Sequence, residues 1–350
     1  MTLPDKSRTA LVADIGGTNA RFAIADIDEL TIKHFASFQC DLFPSLQAAV
    51  KAYMDCIPHR PSIAGFAIAG PVAEETVRMT NLPWSFSRKD LCSASGAKYV
   101  HLVNDFEALA LSLPFLGPHD LHKIGGREPV DRAPKVVLGP GTGLGVAGLV
   151  LSPSGWISIA SEGGHISFAA EDADELLLIK RIAKNEKHVS AERLISGPGL
   201  VQIYKALAET QEGAAVLASA PEIVEQALHA ENRLALEALG YLERWLGRFA
   251  GDMALVYGAR GGVYLGGGIP ARVFDPSEAT AFRLAFFHRE FQYKGRLSSF
   301  LEPIPIFVIK ALDAGLRGAA VALSQAEFLS EGISSASGGR SASDLVRQPG

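Results

Sequence analysis

The stretch ADIGGTNARFAIAD, residues 13–26, sets an acid, two glycines, a threonine, an asparagine and an arginine between apolar runs. Two readings are open. It is a plain hairpin turn, or a turn whose backbone N–H groups hold phosphate. Exposed N–H groups in such turns form an anion-binding nest, and glycine lets the ligand come close. Residues 9–15 (TALVADI) and 21–27 (RFAIADI) read as the flanking strands, and 31–38 (TIKHFASF) as a third strand of a meander. Asp14 ends the first strand, where a carboxylate can hold Mg2+ directly or through water.

The theme returns at KVVLGPGTGLGVAGLV, residues 135–150. Set against each other, GGTNARFAIA and PGTGLGVAGL match in turn and flanks. Two related strand–turn–strand units, each heading an α/β half, point to a duplicated architecture. The first turn centres on Gly17-Thr18 and the second on Gly141-Thr142-Gly143. A third glycine cluster, Gly266, Gly267 and Gly268, closes the apolar run in GGVYLGGGIP. One Gly-Thr turn alone is an ordinary hairpin; the pair joined by a third cluster favours a nucleotide. No G-x-x-x-x-G-K-[ST] occurs, and no G-x-G-x-x-G opens a helix after a strand, which speaks against a P-loop and a dinucleotide fold. Neither turn contains a lysine, so backbone N–H groups and a metal would carry the phosphate charge.

Between the turns the pattern alternates. Helices are expected over 44–56 and 87–95, the latter capped by Ser87. SIAGFAIA is a strand ending at Gly70-Pro71, and YVHLV is a strand running into the helix NDFEALALSL. Residues 116–134 are polar and rich in Gly and Pro, and read as a crossing between two halves. Helices follow at about 172–186, 198–208, 221–230 and within 232–258, then the strand IPIFVIK and a last helix to about 329. Residues 330–350 are rich in Ser and Gly and read as a disordered tail.

Three further segments carry chemistry. Asn104-Asp105 stands where a buried strand meets a helix. It is a capping pair, or a carboxylate that takes a proton from a substrate hydroxyl with an amide beside it. In SEGGHISF, Glu162 and His165 flank two glycines, which argue against a helix carrying a metal pair; a solvated loop is the alternative. Glu192 follows a helix start at Ser190 and is otherwise an ordinary first-turn acid. Together Asn104, Asp105, Glu162, His165 and Glu192 offer the mixed donors and acceptors that a polyhydroxyl ligand requires.

Composition narrows the partners. The formal net charge of −5 speaks against nucleic acid and a polybasic membrane surface. Cys40, Cys56 and Cys92 are scattered, as in a reduced cytoplasmic protein. MTLPDKSR lacks a signal-peptide core, and no apolar run is long enough to span a membrane.

The chain closely resembles the bacterial glucokinase family, the ATP-dependent, hexokinase-like branch of the actin/Hsp70/sugar-kinase superfamily, from about Thr9 to Glu327. The resemblance rests on ADIGGTNAR, IAGPV, MTNLPWSFS, NDFEALA, GPGTGLGVA, EGGHISF, VSAERLISGPGL and GGVYLGGGIP in that order. It implies an α/β, two-domain actin-like ATPase (ribonuclease H-like) fold with a central cleft that closes on sugar. The small domain would take residues 1–114 and a C-terminal helix at about 310–329, and the large domain 115–309. Ala13, Asp14, Ile15, Gly16, Gly17, Thr18 and Asn19 would form the first phosphate loop and Gly141, Thr142 and Gly143 the second. Gly266–Gly268 would lie on the adenosine side. Asp105 would be the catalytic base, and Asn104, Asp105, Glu162, His165 and Glu192 the glucose contacts. The substrates would be glucose and ATP with Mg2+, in a cytoplasmic homodimer.

Some positions depart from the family. Ala13 stands where relatives often have Gly. The Cys-rich zinc segment of the related repressor/kinase family is missing, so no structural zinc is expected. KALDAGLRGAA departs from the usual ending, which leaves the adenine-side packing open. Three rivals remain: a kinase of another hexose or amino sugar, a sugar-responsive repressor and an actin-like filament protein. The eight residues before the first strand are too few for the helix-turn-helix of a repressor, and a filament protein has no use for the sugar set.

Overall fold

The computed structural model describes residues 8–337, with 59, 80, 185, 210, 212–216 and 278–280 outside the description. Two compact units emerge: Met1–Ser112 with Asp313–Gly350, and Leu113–Leu312.

In the first unit the elements are β1 (Thr9–Ile15), β2 (Asn19–Asp26), β3 (Ile32–Gln39), α1 (Leu46–Asp55), β4 (Ile63–Ile68), β5 (Thr76–Arg78), β6 (Ser85–Ser87), α2 (Arg88–Ser95), β7 (Tyr99–Asn104) and α3 (Asp105–Ser112). The main sheet runs β3-β2-β1-β4-β7. β1 pairs antiparallel with β2 and parallel with β4, and β4 pairs parallel with β7. Central β1 and β4 are apolar along nearly their whole length because both faces are covered. Phe22, Tyr53 and Phe66 fill the core, with Phe22 stacked on Tyr53 at 5.2 Å. Each such buried side chain contributes about 1.5–3 kcal/mol. Ser87 begins α2 through a capping box with Asp90.

The second unit contains β8 (Leu121–Gly125), β9 (Lys135–Pro140), β10 (Leu144–Ser152), β11 (Gly155–Ser161), α4 (Ala173–Ala183), α5 (Ala191–Leu194), α6 (Gly197–Ala208), α7 (Ala220–Leu228), α8 (Arg233–Tyr257), β12 (Val263–Leu265), α9 (Gly268–Val273), α10 (Ala281–Gln292), α11 (Ser298–Leu301) and β13 (Ile306–Ile309). Its sheet runs β11-β10-β9-β12-β13-β8. Omitting edge strand β8, the order and sense repeat those of the first sheet: an antiparallel three-stranded meander, then two parallel strands. The duplication read from two turns therefore extends to whole sheets.

A buried ionic cluster ties three helices of this unit. Arg248 (α8) donates to both carboxylate oxygens of Glu175 (α4) at 2.8 and 3.0 Å, and to Glu290 (α10) at 3.3 Å. Burial works to raise the Glu175 pKa, but the Arg248 hydrogen bonds outweigh it and hold the carboxyl below its ordinary value.

Three expectations change. Residues 116–134 include a strand, β8, which pairs antiparallel with β13 at the sheet edge. An edge strand with mixed exposure leaves no apolar run to read. The Gly163-Gly164 pair does not exclude helix: Gly163–His165 is a single 3-10 turn. Gly164 is required there because a Cβ would lie 2.0 Å from the Leu144 carbonyl oxygen. The last helix spans Ala314–Ser337, running past the expected end at about 329. It begins a few residues after β13 ends at Ile309, and no proline stops the backbone ladder in the Ser-rich segment. The rest of the expected tail, 338–350, lies outside the described residues.

Candidate active site

The first turn is built from the strands inward. Register pairs Asp14 with Arg21 and Ile15 with Ala20, and Gly16 N–H closes the turn on the Asn19 carbonyl at 3.0 Å. Cys40 lies beneath. Its N–H donates to the Thr18 carbonyl at 2.9 Å and its thiol to the Gly16 carbonyl at 3.6 Å. The turn's carbonyls are thus tied to the core, while among the described residues the N–H groups of Gly17 and Thr18 donate to nothing. Thr18 is exposed. N–H groups without an acceptor, over anchored carbonyls, are the arrangement an anion requires.

In the second unit, Gly141 N–H donates to the Gly143 carbonyl and Gly197 N–H to the Gly141 carbonyl, both at 2.8 Å. Thr142 is exposed, and the N–H groups of Thr142 and Gly143 donate to nothing among the described residues. The triplet packs beside this turn: a Cβ on Gly139 would meet the Gly266 carbonyl oxygen at 2.3 Å. Gly141 and Gly268 face open space.

Two acids share the first unit's sheet end. Asp14 is half-buried, and its Oδ2 accepts from Arg21 Nη1 at 3.0 Å. Burial raises its pKa, and Arg21 opposes the rise. Asp105 opens α3. Burial first, and then the charge of Asp14, push its carboxyl up to about 7, while the Phe106 N–H, 3.0 Å from Oδ1, works the other way. A carboxylate poised near neutrality suits a general base. Asn104 does what a cap does: its Oδ1 accepts from the N–H of Phe106 at 2.9 Å and of Glu107 at 3.3 Å. Its amide donates to the Gly70 carbonyl at 3.3 Å, so the residue orients Asp105 and links it to the end of β4.

Glu162, His165 and Glu192 gather in the second unit. His165 Nδ1 lies 3.5 Å from Glu162 and its Nε2 lies 3.6 Å from Glu192. Glu162 and His165 are exposed and Glu192 is half-buried. Glu192 Oε2 also accepts the Leu144 N–H at 2.8 Å, coupling this cluster to the second turn. His188, which the sequence reading does not single out, supports the cluster by contacting the His165 carbonyl at 3.0 Å. Arg21 was also missed. The hairpin register contains the signal for it, since an acid and an arginine seven residues apart face each other across the turn.

Two sheets of one order, each headed by a Gly-Thr turn, define the class: an actin-like ATPase fold, here of the sugar-kinase type. A glucokinase family model matches residues 11–326. A glucokinase of Neisseria gonorrhoeae is 44% identical over 89% of this chain and 94% of its own. The crystal structure of a glucokinase from an Antarctic psychrotroph is 35% identical, covers 91% of this chain and 99% of its own, and superposes with a TM-score of 0.76. That of a glucokinase from Balamuthia mandrillaris in complex with glucose, 23% identical, covers 91% and 94% with a TM-score of 0.77 and shares the fold. The chain belongs to the glucokinase family.

Proposed function

We propose that this enzyme transfers the γ-phosphoryl group of ATP to the 6-hydroxyl of glucose, giving glucose 6-phosphate and ADP. The observation that carries the mechanism is Asp105, an acid at a helix start with its carboxyl raised to about 7 beside a second acid. Asp105 accepts the hydroxyl proton as the new O–P bond forms, and the bond to the bridging oxygen breaks with its electron pair leaving on ADP. Asn104 holds Asp105 in place. Glu162, His165 and Glu192 supply the acceptors and donors for sugar hydroxyls. The N–H groups of Gly17, Thr18, Thr142 and Gly143 take phosphate oxygens.

Mg2+ fits Asp14. The ion takes one or two carboxylates and completes its shell with phosphate and water. Asp14 Oδ1 accepts no hydrogen bond among the described residues, and the nearby Asp105 charge favours a cation. No group of three His, Cys, Asp or Glu suited to a metal occurs among the described residues. When bound, Mg2+ would neutralise charge on the transferring phosphoryl group.

The reading includes a cytoplasmic homodimer at the head of glucose breakdown, as the family resemblance implies. No helix among the described residues is long and apolar enough to cross a membrane. The test is a sugar panel with ATP and Mg2+, read as sugar-dependent ADP release. Glucose should lead. Preference for another hexose would overturn the substrate, and release without sugar dependence would overturn the kinase reading.

A further inference from the structure

The chain returns at its end to the unit where it began. The C-terminal helix packs against β1, β4 and α3. Its fit there is set by glycines on both sides of the contact. A Cβ on Gly65 of β4 would lie 2.8 Å from the Ala319 carbonyl oxygen. On the helix, a Cβ on Gly318 would lie 1.7 Å from the carbonyl oxygen of Ala108 in α3, the helix that Asp105 opens. These are backbone contacts and concern packing. Gly315, the second residue of the helix, differs. A Cβ there would lie 2.8 Å from both Cγ and Oδ2 of Asp14 and 3.2 Å from its Cβ.

Gly315 is not among the positive-φ residues, so its backbone conformation does not call for glycine. Glycine is also unfavourable within a helix relative to alanine. Its use here is space, and the space is filled by the side chain of Asp14. The oxygen that faces Gly315, Oδ2, is also the one held by Arg21. The start of a helix carries partial positive charge, which favours a carboxylate against it.

We propose that the first turn of the C-terminal helix is the back wall of the phosphate-side acid, with Gly315 as a positioning residue that sets Asp14 so that Oδ1 faces the ligand. This rests on the kinase reading above. A methyl at position 315 cannot share the volume with Asp14, and the short side chain yields by rotating away from Arg21. Misplacement of about 1 Å costs on the order of a hundredfold in rate.

The test uses the full-length chain as Gly315→Ala, Asp14→Ala and the double variant, with Gly240→Ala as control because Gly240 faces open space. Readouts are thermal unfolding, kcat and glucose KM, and Mn2+ binding with ADP followed by electron paramagnetic resonance. Gly315→Ala should unfold near the wild-type temperature and keep its glucose KM within about twofold. It should lose about ten- to a hundredfold in kcat and weaken Mn2+ about tenfold. In the Asp14→Ala background the same change should cost nothing further, because its target is gone. Wild-type kcat and Mn2+ binding in Gly315→Ala would overturn the proposal. So would a full additional loss in the double variant, or a joint loss of stability, glucose affinity (a raised KM) and kcat. Lack of sugar-dependent turnover in the wild type would instead overturn the kinase reading, and the Mn2+ comparison would still decide the role of Gly315.

Discussion

Replacing Asp105 by Asn should abolish turnover and, at neutral pH, stabilise the fold. The Asp105 carboxyl is raised from 3.8 to about 7 by burial and by Asp14. Its folded pKa lies above its unfolded value, so between these limits the folded state binds more protons. Wild-type stability therefore falls as pH rises from about 4 to about 7. The slope approaches ~1.4 kcal/mol per pH unit, with a ceiling of about 4 kcal/mol. Water at the half-buried carboxyl reduces this to about 2 kcal/mol. Asn retains an oxygen acceptor for the Phe106 N–H that now reaches Oδ1 at 3.0 Å, and it carries no charge. Opening free energies from hydrogen exchange in residues 99–112, variant against wild type with chelator, provide the assay. The advantage of Asp105→Asn should be near zero at pH 4, grow through pH 7 and level off above it. A flat difference, or a less stable variant at pH 8, would refute the account of Asp105 as a carboxyl held against its ordinary ionisation.

Other outcomes follow from the same geometry. Asp105→Ala should lower kcat by orders of magnitude with nucleotide binding retained, and near-normal turnover would sink the base assignment. Wild-type kcat/KM should rise with pH through about 7, because the base works unprotonated; a rate that falls over that range would contradict it. Arg248→Met removes the two-pronged partner of buried Glu175, which keeps Arg244 at 3.3 Å as its ionic partner, while Glu290 keeps Arg289 at 3.2 Å; it should destabilise by about 3 kcal/mol, measured by urea unfolding. Gly318→Ala, set against the Ala108 carbonyl, should lower the unfolding temperature markedly, whereas Gly240→Ala should not.

The sequence made some of this legible because the signals are local. A Gly-Thr turn between two apolar runs predicts a hairpin, and Ser87 with Asp90 predicts a helix start. Asn104 was readable as a cap and is one; the proposed base stands beside it rather than in its place. The repeat of turn and flanks announced two related halves, and strand order later bore out that kinship. What stayed hidden depends on distant partners. β8 acquires its identity from β13 at an edge, where side chains need not alternate. Glu192 reads as a first-turn acid, yet its oxygen closes on Leu144, far back in the chain. Gly315 looks like one more small residue until Asp14 is seen behind it.

One unit is assembled from the two ends of the chain, while Leu113–Leu312 forms the other without interruption. During synthesis this imposes an order. The ribosome adds about 5–20 residues per second, so roughly 10–40 s separate the emergence of α3 from that of the helix that packs on it. Throughout that interval β1 and β4 lack a cover for one apolar face. The acids are therefore set last, and a chain truncated within its final helix would carry every residue of the proposed chemistry while leaving a sheet face open to chaperones and proteases.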